Sequence, residues 1–150
     1  MRAVIQRVKS ASVKTGGQVI SSVESGLLVF LGIEQADTTD DADWLSRKIS
    51  GLRIFDDANG VMNHDIKQSG GSLLIISQFT LHAKTRKGNR PSYIQAAGPD
   101  HAIPLYNSFV EKIAEYSGRD VKTGEFGAEM DVELINSGPV TIIIDSRNKE

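Results

Sequence analysis

Four residues at the end of an apolar run carry the side chains best suited to chemistry. The run is Leu73-Leu74-Ile75-Ile76, and Ser77-Gln78-Phe79-Thr80 follows it. The segment places two hydroxyls and an amide around one aromatic ring, at a strand end where a rigid scaffold can present polar groups to a ligand. If the strand ends in a bend, the backbone N–H groups of Ser77, Phe79 and Thr80 are free to bind a carbonyl oxygen or an anion. The plainer alternative is a strand whose polar end enters solvent.

Thr80 is the candidate nucleophile of this segment, but a neutral hydroxyl needs a base. His82 is the nearest candidate, and in an extended chain it would lie on the same side as Thr80. The chain has no Gly-x-Ser-x-Gly segment, which disfavours a hydrolase with a serine–histidine–aspartate triad. An esterase that uses Thr80 and His82, and a site built from backbone donors, both stay open.

A second segment, Asn136-Ser137-Gly138-Pro139-Val140-Thr141, also combines rigidity with exposed backbone. Taken alone, Gly138-Pro139 indicates a hairpin turn. Because the glycine has no side chain, its backbone can also approach a ligand closely. A wall of main-chain atoms can exclude a side chain by steric clash, which is a sharper selection than apolar binding provides.

Residues 82–98 show no clean periodicity and form the longest predicted loop. Its basic side chains are Lys84, Arg86, Lys87 and Arg90. They suit either a solvated surface or contacts with phosphate groups. The histidines His64, His82 and His101 show no spacing with carboxylates that resembles a metal site, so we predict neither a metal nor a cofactor.

Composition describes an ordinary globular chain. The chain has 150 residues, 39% hydrophobic and 24% charged, with a formal net charge of -2 and no cysteine. Any contact with RNA must therefore come from a local patch, and disulfides and thiolate chemistry are excluded. Charge interrupts the N-terminal segment too early for a secretory signal, and no apolar run approaches the ~20 residues that span a bilayer. We expect a cytoplasmic protein without a membrane segment.

Alternation and turn residues predict many antiparallel strands. The predicted strands are 4–8 with a continuation at 11–14, 18–23, 27–33, 52–55, the strand of the run 73–76 that carries Ser77-Gln78-Phe79-Thr80, 128–134 and 140–144. The predicted turns are Gly16-Gly17, Asp56 to Gly60 and Asn136-Ser137-Gly138. The run 27–33 is apolar throughout, which is typical of a central strand covered on both faces.

Two helices are predicted between these strands. The first runs to about Ser50 after the capping residues Thr38 to Asp41. The second runs from about His101 to Tyr116 and ends at Gly118, with Pro104 tolerable only in its first turn. The sequence thus predicts one α+β domain over residues 1–150, with a mostly antiparallel or mixed, barrel-like sheet and two main helices.

Four segments in order resemble the D-aminoacyl-tRNA deacylases. They are Ser77-Gln78-Phe79-Thr80-Leu81, Lys87-Gly88-Asn89-Arg90-Pro91-Ser92, Gly124-Glu125-Phe126-Gly127-Ala128 and Gly138-Pro139-Val140-Thr141. The resemblance spans the chain from Met1-Arg2-Ala3-Val4-Ile5-Gln6-Arg7-Val8 to the final strand. Ser137 stands where the family is expected to have aspartate, and Tyr93 where phenylalanine is common.

This resemblance implies a homodimeric hydrolase that cleaves the ester between a D-amino acid and the terminal ribose of tRNA. Ser77, Gln78, Phe79 and Thr80 would form its catalytic segment. Gly138 and Pro139, joined by a cis peptide bond, would reach into the partner subunit's pocket and reject L side chains, while achiral glycine on tRNA would pass. Met130 would join the substrate-binding set, and Lys84, Arg86, Lys87 and Arg90 would contact tRNA.

The resemblance leaves the role of Thr80 between two views. Either Thr80 attacks the ester, or water does so with help from the free 2′-hydroxyl of the substrate. The sequence favours water, since no convincing base accompanies Thr80. Two alternatives to the deacylase are a non-catalytic RNA-binding module and a small-molecule esterase that uses Thr80 and His82.

Overall fold

The computed structural model describes residues 1–149 and shows a mixed sheet curved into a nearly closed barrel. The strands are β1 (Arg2–Thr15), β2 (Gln18–Val23), β3 (Gly26–Gly32), β4 (Phe55–Asp56), β5 (Met62–His64), β6 (Ser72–Ser77), β7 (Val121–Thr123) and β8 (Asp131–Asp145). The helices are α1 (Thr39–Ser50), α2 (Ile66–Ser69) and α3 (Pro99–Ser117), and a 3₁₀ helix, Phe79–His82, follows β6. We call this 3₁₀ helix the site turn.

The main sheet has the order β2-β1-β3-β6-β7, and β8 pairs with β1. The pairs of β1 with β2, β3 and β8 are antiparallel, whereas β3–β6 and β6–β7 are parallel. Parallel neighbours need long crossovers, and these contain α1 and α3, which pack on each other. The predicted α+β fold with a barrel-like mixed sheet and two main helices is confirmed.

β3 is a central strand, as its apolar run predicted. Leu27, Val29 and Leu31 pack into a core shared with α1 and α3, while Leu28 packs into a second core on the other face. Gly26 lets the backbones of β3 and β6 meet, because an added Cβ would lie 1.8 Å from the Ser72 carbonyl oxygen. The carboxyl ends of β3 and β6 therefore lie side by side, with Leu31 opposite Ser77.

The predicted strand at 52–55 is mostly wrong. Phe55 and Asp56 alone form β4, which pairs with the unpredicted β5. The carbonyl of Ile54 accepts a hydrogen bond from the Arg7 guanidinium at 2.6 Å, so this backbone is paired with a side chain instead. β5 and α2 have three and four residues, too few for a periodic pattern.

Both main helices form where the sequence placed them, with one correction. The Asp41 carboxylate accepts a hydrogen bond from the Thr38 N–H at 2.9 Å, which fixes the start of α1. α3 ends before Gly118, whose φ of +60° suits glycine. α3 begins at Pro99, however, so Pro104 lies inside the helix and not in its first turn. The predicted start at about His101 would have placed Pro104 in the first turn of the helix.

β8 also differs from its prediction. The segment Asn136-Ser137-Gly138 does not reverse the chain, because β8 pairs with β1 on both sides of it. Gln6 faces Thr141 and Val8 faces Asn136, so four residues of β8 bulge out opposite one residue of β1. We call residues 137–140 the bulge. The predicted alternation before it is confirmed, with Val132 and Leu134 packed against the second core.

None of the helices within residues 1–149 is both long enough and apolar enough to span a membrane.

Candidate functional site

A cavity of about 400 Å³ lies at the carboxyl ends of β3 and β6. Ser77, Gln78 and Phe79 form one part of its wall. Phe126, Gly127, Ala128 and Met130, between β7 and β8, form another part, and the beginning of α3 contributes a third. The cavity therefore lies where two parallel strands end, which is a common place for ligand sites in such sheets.

The site turn begins as β6 ends. The Gln78 N–H donates to the Leu31 carbonyl at 2.8 Å, the last bond between β6 and β3. Phe79 and Thr80 then occupy the first positions of a 3₁₀ helix, whose N–H groups have no partner within the helix. On the other side of β6, β7 stops at Thr123 opposite Ile75. Of the two alternatives that the sequence left open, the strand ends in a bend, which offers main-chain donors beside the cavity.

Thr80 is not among the described residues that line this cavity. Its hydroxyl accepts a hydrogen bond from the Gln78 amide at 2.6 Å, and its side chain lines a separate groove beside Ile142 and Ile144. His82 is 4% exposed, and its Nδ1 lies 3.8 Å from a Glu34 carboxylate oxygen. Among the hydrogen bonds of residues 1–149, none joins Thr80 to His82, so these two residues do not form a nucleophile–base pair.

The lining of the cavity is uncharged. Among the described residues, those that line it carry no acidic or basic side chain. A reaction in this cavity has no side chain at hand for general acid–base catalysis. The groups that remain are main-chain dipoles, the Ser77 hydroxyl and the Gln78 amide, which can orient a substrate and stabilise developing charge.

Tyr106 and Phe126 hold the far wall in place. The Tyr106 hydroxyl donates to the Ile75 carbonyl at 2.8 Å, and its ring meets the Phe126 ring edge-on with centroids 5.8 Å apart. Burial raises the pKa of Tyr106, so its hydroxyl stays a donor over the whole physiological range. Met130 packs its sulfur against Gly124, where an added Cβ would lie 2.6 Å from it.

The bulge of β8 carries the Gly138–Pro139 peptide, which is cis as the resemblance implied. Both residues are exposed. The Arg7 guanidinium of β1 contacts the bulge. It donates to the carbonyls of Ser137 at 3.3 Å and Gly138 at 3.4 Å. Of the residues that the structure describes, those lining the cavity do not include Gly138 or Pro139.

The loop 82–98 is mostly exposed, including all four of its basic side chains. Lys84 and Ser92 form a short antiparallel bridge through two backbone hydrogen bonds. The predicted long loop is therefore partly ordered as a hairpin.

The structure brings some predicted site residues together and separates others. Ser77, Gln78, Phe79 and Met130 share the cavity wall, whereas Thr80 faces the groove. The sequence reasoning missed Arg7 and Phe126 as site residues. Arg7 could have been found, because it is a cation at an inward-facing position of a strand that otherwise buries apolar side chains.

Comparisons with known proteins show the family of this chain. The sequence model of the family described as D-Tyr-tRNA(Tyr) deacylase matches residues 4–145. The D-aminoacyl-tRNA deacylase of Phocaeicola vulgatus is 60% identical over 150 residues, and that of Parabacteroides distasonis is 57% identical, each over 100% of both chains.

Two solved structures share the fold. One, named c-Myc DNA Unwinding Element Binding Protein, has a TM-score of 0.90 and 39% identity, and the match covers 97% of this chain and 98% of that chain. The other, described as a probable eukaryotic D-amino acid tRNA deacylase, has a TM-score of 0.81 with coverages of 95% and 97%. Its identity of 16% shows likeness of fold alone. These matches define a deacylase-type hydrolase, and the chain belongs to the D-Tyr-tRNA(Tyr) deacylase family.

Proposed function

We propose that this protein hydrolyses the ester bond between a D-amino acid and the terminal ribose of tRNA, releasing both. Membership of the family and 60% identity to a D-aminoacyl-tRNA deacylase over the full length support this activity. We also propose that the protein acts in the cytoplasm, because its proposed substrate is aminoacylated tRNA.

The uncharged cavity is the observation that carries this proposal. An aminoacyl ester is already activated, so it needs orientation and oxyanion stabilisation more than a strong nucleophile. The N–H groups of Phe79 and Thr80 are suited to hold the ester and amino acid oxygens. Because the described residues that line the cavity include no base, the proposal has water attack the ester carbonyl with help from the free 2′-hydroxyl of the substrate ribose.

Selection by handedness is assigned to Gly138 and Pro139. They protrude from β8 on a stiff support, with Arg7 bonded to the Gly138 carbonyl. They do not line the cavity of their own chain within residues 1–149, so the proposal assigns their delivery to a second subunit, in a homodimer with crossed bulges. In that arrangement an L side chain would meet the main chain of the partner's bulge, whereas a D side chain or glycine would not.

Release of labelled tyrosine from charged tRNA tests this function. D-tyrosyl-tRNA should be hydrolysed at least ~100-fold faster than L-tyrosyl-tRNA, because rejection by clash exceeds what apolar binding provides. Glycine charged on a non-cognate tRNA should also be released. Equal rates for the two enantiomers, or no release of D-tyrosine, would contradict the proposal.

A second candidate function is nucleic-acid binding without turnover. The exposed basic side chains of the loop favour it, and so does the name of the 39%-identical structure. This alternative predicts binding of tRNA that depends steeply on salt, with no release of tyrosine. The Thr80–His82 esterase receives no such support, since the two side chains are not bonded to each other.

A further inference from the structure

The basic loop has a defined backbone structure. Backbone bonds of 2.8 and 3.0 Å join Lys84 and Ser92, and Gly88 turns the chain between them with a φ of +69°. We call residues 84–92 the basic hairpin. Among residues 1–149, no salt bridge involves its four basic side chains, Lys84, Arg86, Lys87 and Arg90.

The base of this hairpin is attached to the cavity. Just after it, the Ala97 N–H donates to the Ile33 carbonyl at 2.9 Å, and both residues line the cavity. The Tyr93 ring meets the Phe79 ring edge-on, with centroids 5.1 Å apart and planes at 75°. Phe79 is 56% exposed, so this contact is a main support of its ring.

We propose that the basic hairpin binds the phosphate backbone of the RNA next to its 3′ end, and that Tyr93 is a positioning residue for Phe79. This inference rests on the proposed function. The described residues that line the cavity offer no cation to a phosphate, so the proposal places the contacts with the charge of the nucleic acid outside it. The four cations lie on a hairpin that is followed by Tyr93, which contacts Phe79, and by Ala97, which lines the cavity. They form a local basic patch in a chain whose net charge is -2.

The ring of Tyr93, and not its hydroxyl, performs the positioning. Its hydroxyl makes no hydrogen bond to the part of the chain that the structure describes, whereas its ring forms an edge-to-face pair with the Phe79 ring. An edge-to-face pair of this kind orients a ring that solvent would otherwise leave free to rotate. Since Phe79 opens the site turn, a fixed ring also fixes the N–H groups that face the ester.

Substitution of Tyr93 tests the positioning role with two substrates, D-tyrosyl-tRNA and D-tyrosyl-adenosine. We expect Tyr93→Ala to lower kcat by about three- to tenfold on both, since both use Phe79. Tyr93→Phe should restore kcat, because it keeps the ring. An alanine variant with wild-type kcat on both substrates, or a phenylalanine variant as slow as the alanine variant, would overturn the positioning role.

Substitution of a hairpin cation tests the phosphate contact. The slope of log affinity for uncharged tRNA against log salt should fall by about one in Lys87→Gln. Lys67→Gln is the matched control, because Lys67 is also exposed but lies before β6, at the opposite end of that strand from the cavity. Equal slopes in the two variants would overturn the contact.

The two substrates separate the hairpin from the cavity. We expect the loss in kcat/KM for Lys87→Gln to be at least about fivefold larger on D-tyrosyl-tRNA than on D-tyrosyl-adenosine, which has no phosphate to bind. Equal losses would contradict the inference. The binding titration needs no turnover, so it tests the hairpin even if the wild-type protein released no tyrosine, which would contradict the proposed function alone.

Discussion

The Thr80 hydroxyl is the candidate nucleophile in the sequence, but in the structure it is hydrogen-bonded to Gln78. The Gln78 amide donates to it at 2.6 Å, and His82 is buried beside Glu34. We therefore propose that Thr80 is a positioning residue, which ties the site turn together through its bond to Gln78. The same residue as a nucleophile would need a base within hydrogen-bond reach.

Thr80→Ala distinguishes these two roles. We expect kcat on D-tyrosyl-tRNA to fall by about tenfold or less, because only the bond to Gln78 is lost. Loss of a nucleophile would lower kcat by ~10⁴-fold or more. Single-turnover assays of a variant with a native circular dichroism spectrum measure the difference. A folded variant without detectable hydrolysis would restore the nucleophile.

Gly138→Ala tests whether the main chain of the bulge selects the handedness of the amino acid. The nearest atom to an added Cβ lies in the Asn136 side chain, 3.8 Å away, so the chain itself has room for the methyl group. We expect an unchanged melting temperature, together with a fall of about tenfold or more in D-tyrosyl-tRNA hydrolysis or in the ratio of D to L rates.

The control for that experiment is Gly51→Ala. An added Cβ there would make an ordinary contact of 3.5 Å with the Arg47 carbonyl, at the end of α1. It should leave both stability and the D/L ratio near wild type. If Gly138→Ala behaved in the same way, Gly138 would have no part in chiral selection.

At this scale the sequence predicted residue types better than residue partners. Ser77 to Phe79 were identified because polar groups follow an apolar run. The direction of the Thr80 side chain depends on the bend after β6, and the contact of Arg7 with Gly138 joins residues 131 positions apart. Neither leaves a local pattern, so neither could be predicted from spacing.

At the scale of elements, the site turn rests on the end of β3. An added Cβ at Gly32 would lie 3.0 Å from the Gln78 carbonyl oxygen, and 3.0 Å from side-chain atoms of Leu81 and His82. The turn also receives a hydrogen bond of 2.8 Å from the Arg2 guanidinium to the Leu81 carbonyl. Its position is therefore set by close packing on two sides.

Gly32→Ala should displace the site turn. We expect a loss of ~1–3 kcal/mol in the free energy of unfolding from overpacking, and a fall of about tenfold in kcat. Gly71→Ala is the matched control, since its Cβ would lie 2.9 Å from the Gly26 Cα at the other end of β6. It should destabilise the protein without lowering kcat. Equal kcat in both variants would contradict the packing argument.

A second prediction at this scale concerns the contact between α1 and α3. The Asp43 carboxylate accepts hydrogen bonds from the Tyr116 hydroxyl at 2.5 Å and from the Lys112 ammonium at 2.9 Å. These bonds, the one from Tyr116 first, hold the pKa of Asp43 well below its usual 3.8. A depressed pKa stabilises the fold above pH 3.8, and this stabilisation is lost as the pH falls further.

Asp43→Asn should therefore lose less stability on acidification than the wild type does. Melting temperatures at about pH 5.5 and about pH 2.5 measure this difference. The pKa values of Asp41, Asp57, Glu133 and Asp145 are also lowered, so both proteins lose some stability. Asp40→Asn, an exposed substitution on the same helix, should retain the wild-type loss. An identical loss in Asp43→Asn would refute the linkage.

Elements with long periodic patterns were predictable, and irregular ones were not. The apolar run of β3 and the alternation of β8 determined their faces. The bulge was predicted as a turn because glycine and proline favour both. A bulge is distinguished from a turn here only because β1 pairs with β8 on both sides of it. That pairing joins residues far apart in the sequence.

At the scale of the whole molecule, a single chain has a cavity to which its own Gly138 and Pro139 do not contribute among the described residues. Gly138 and Pro139 are exposed on the bulge, and on the same strand Ile143 is 68% exposed. A two-fold dimer would bring the bulge of one chain to the cavity of the other, and the reverse, in one symmetric contact. Sedimentation at assay concentration should give twice the chain mass of 16.3 kDa.

Mixing two damaged proteins tests whether the cavity and the bulge belong to different chains. Gly138→Leu damages the bulge, and Phe79→Ala damages the cavity wall, so each homodimer should be inactive. In a mixed dimer, the cavity of the Gly138→Leu chain receives an intact bulge from the Phe79→Ala chain. At equal amounts, half of the dimers are mixed and each has one intact site, which gives about a quarter of wild-type activity. If the bulge served its own chain, no mixed dimer would contain an intact site, and the mixture would stay as inactive as its components.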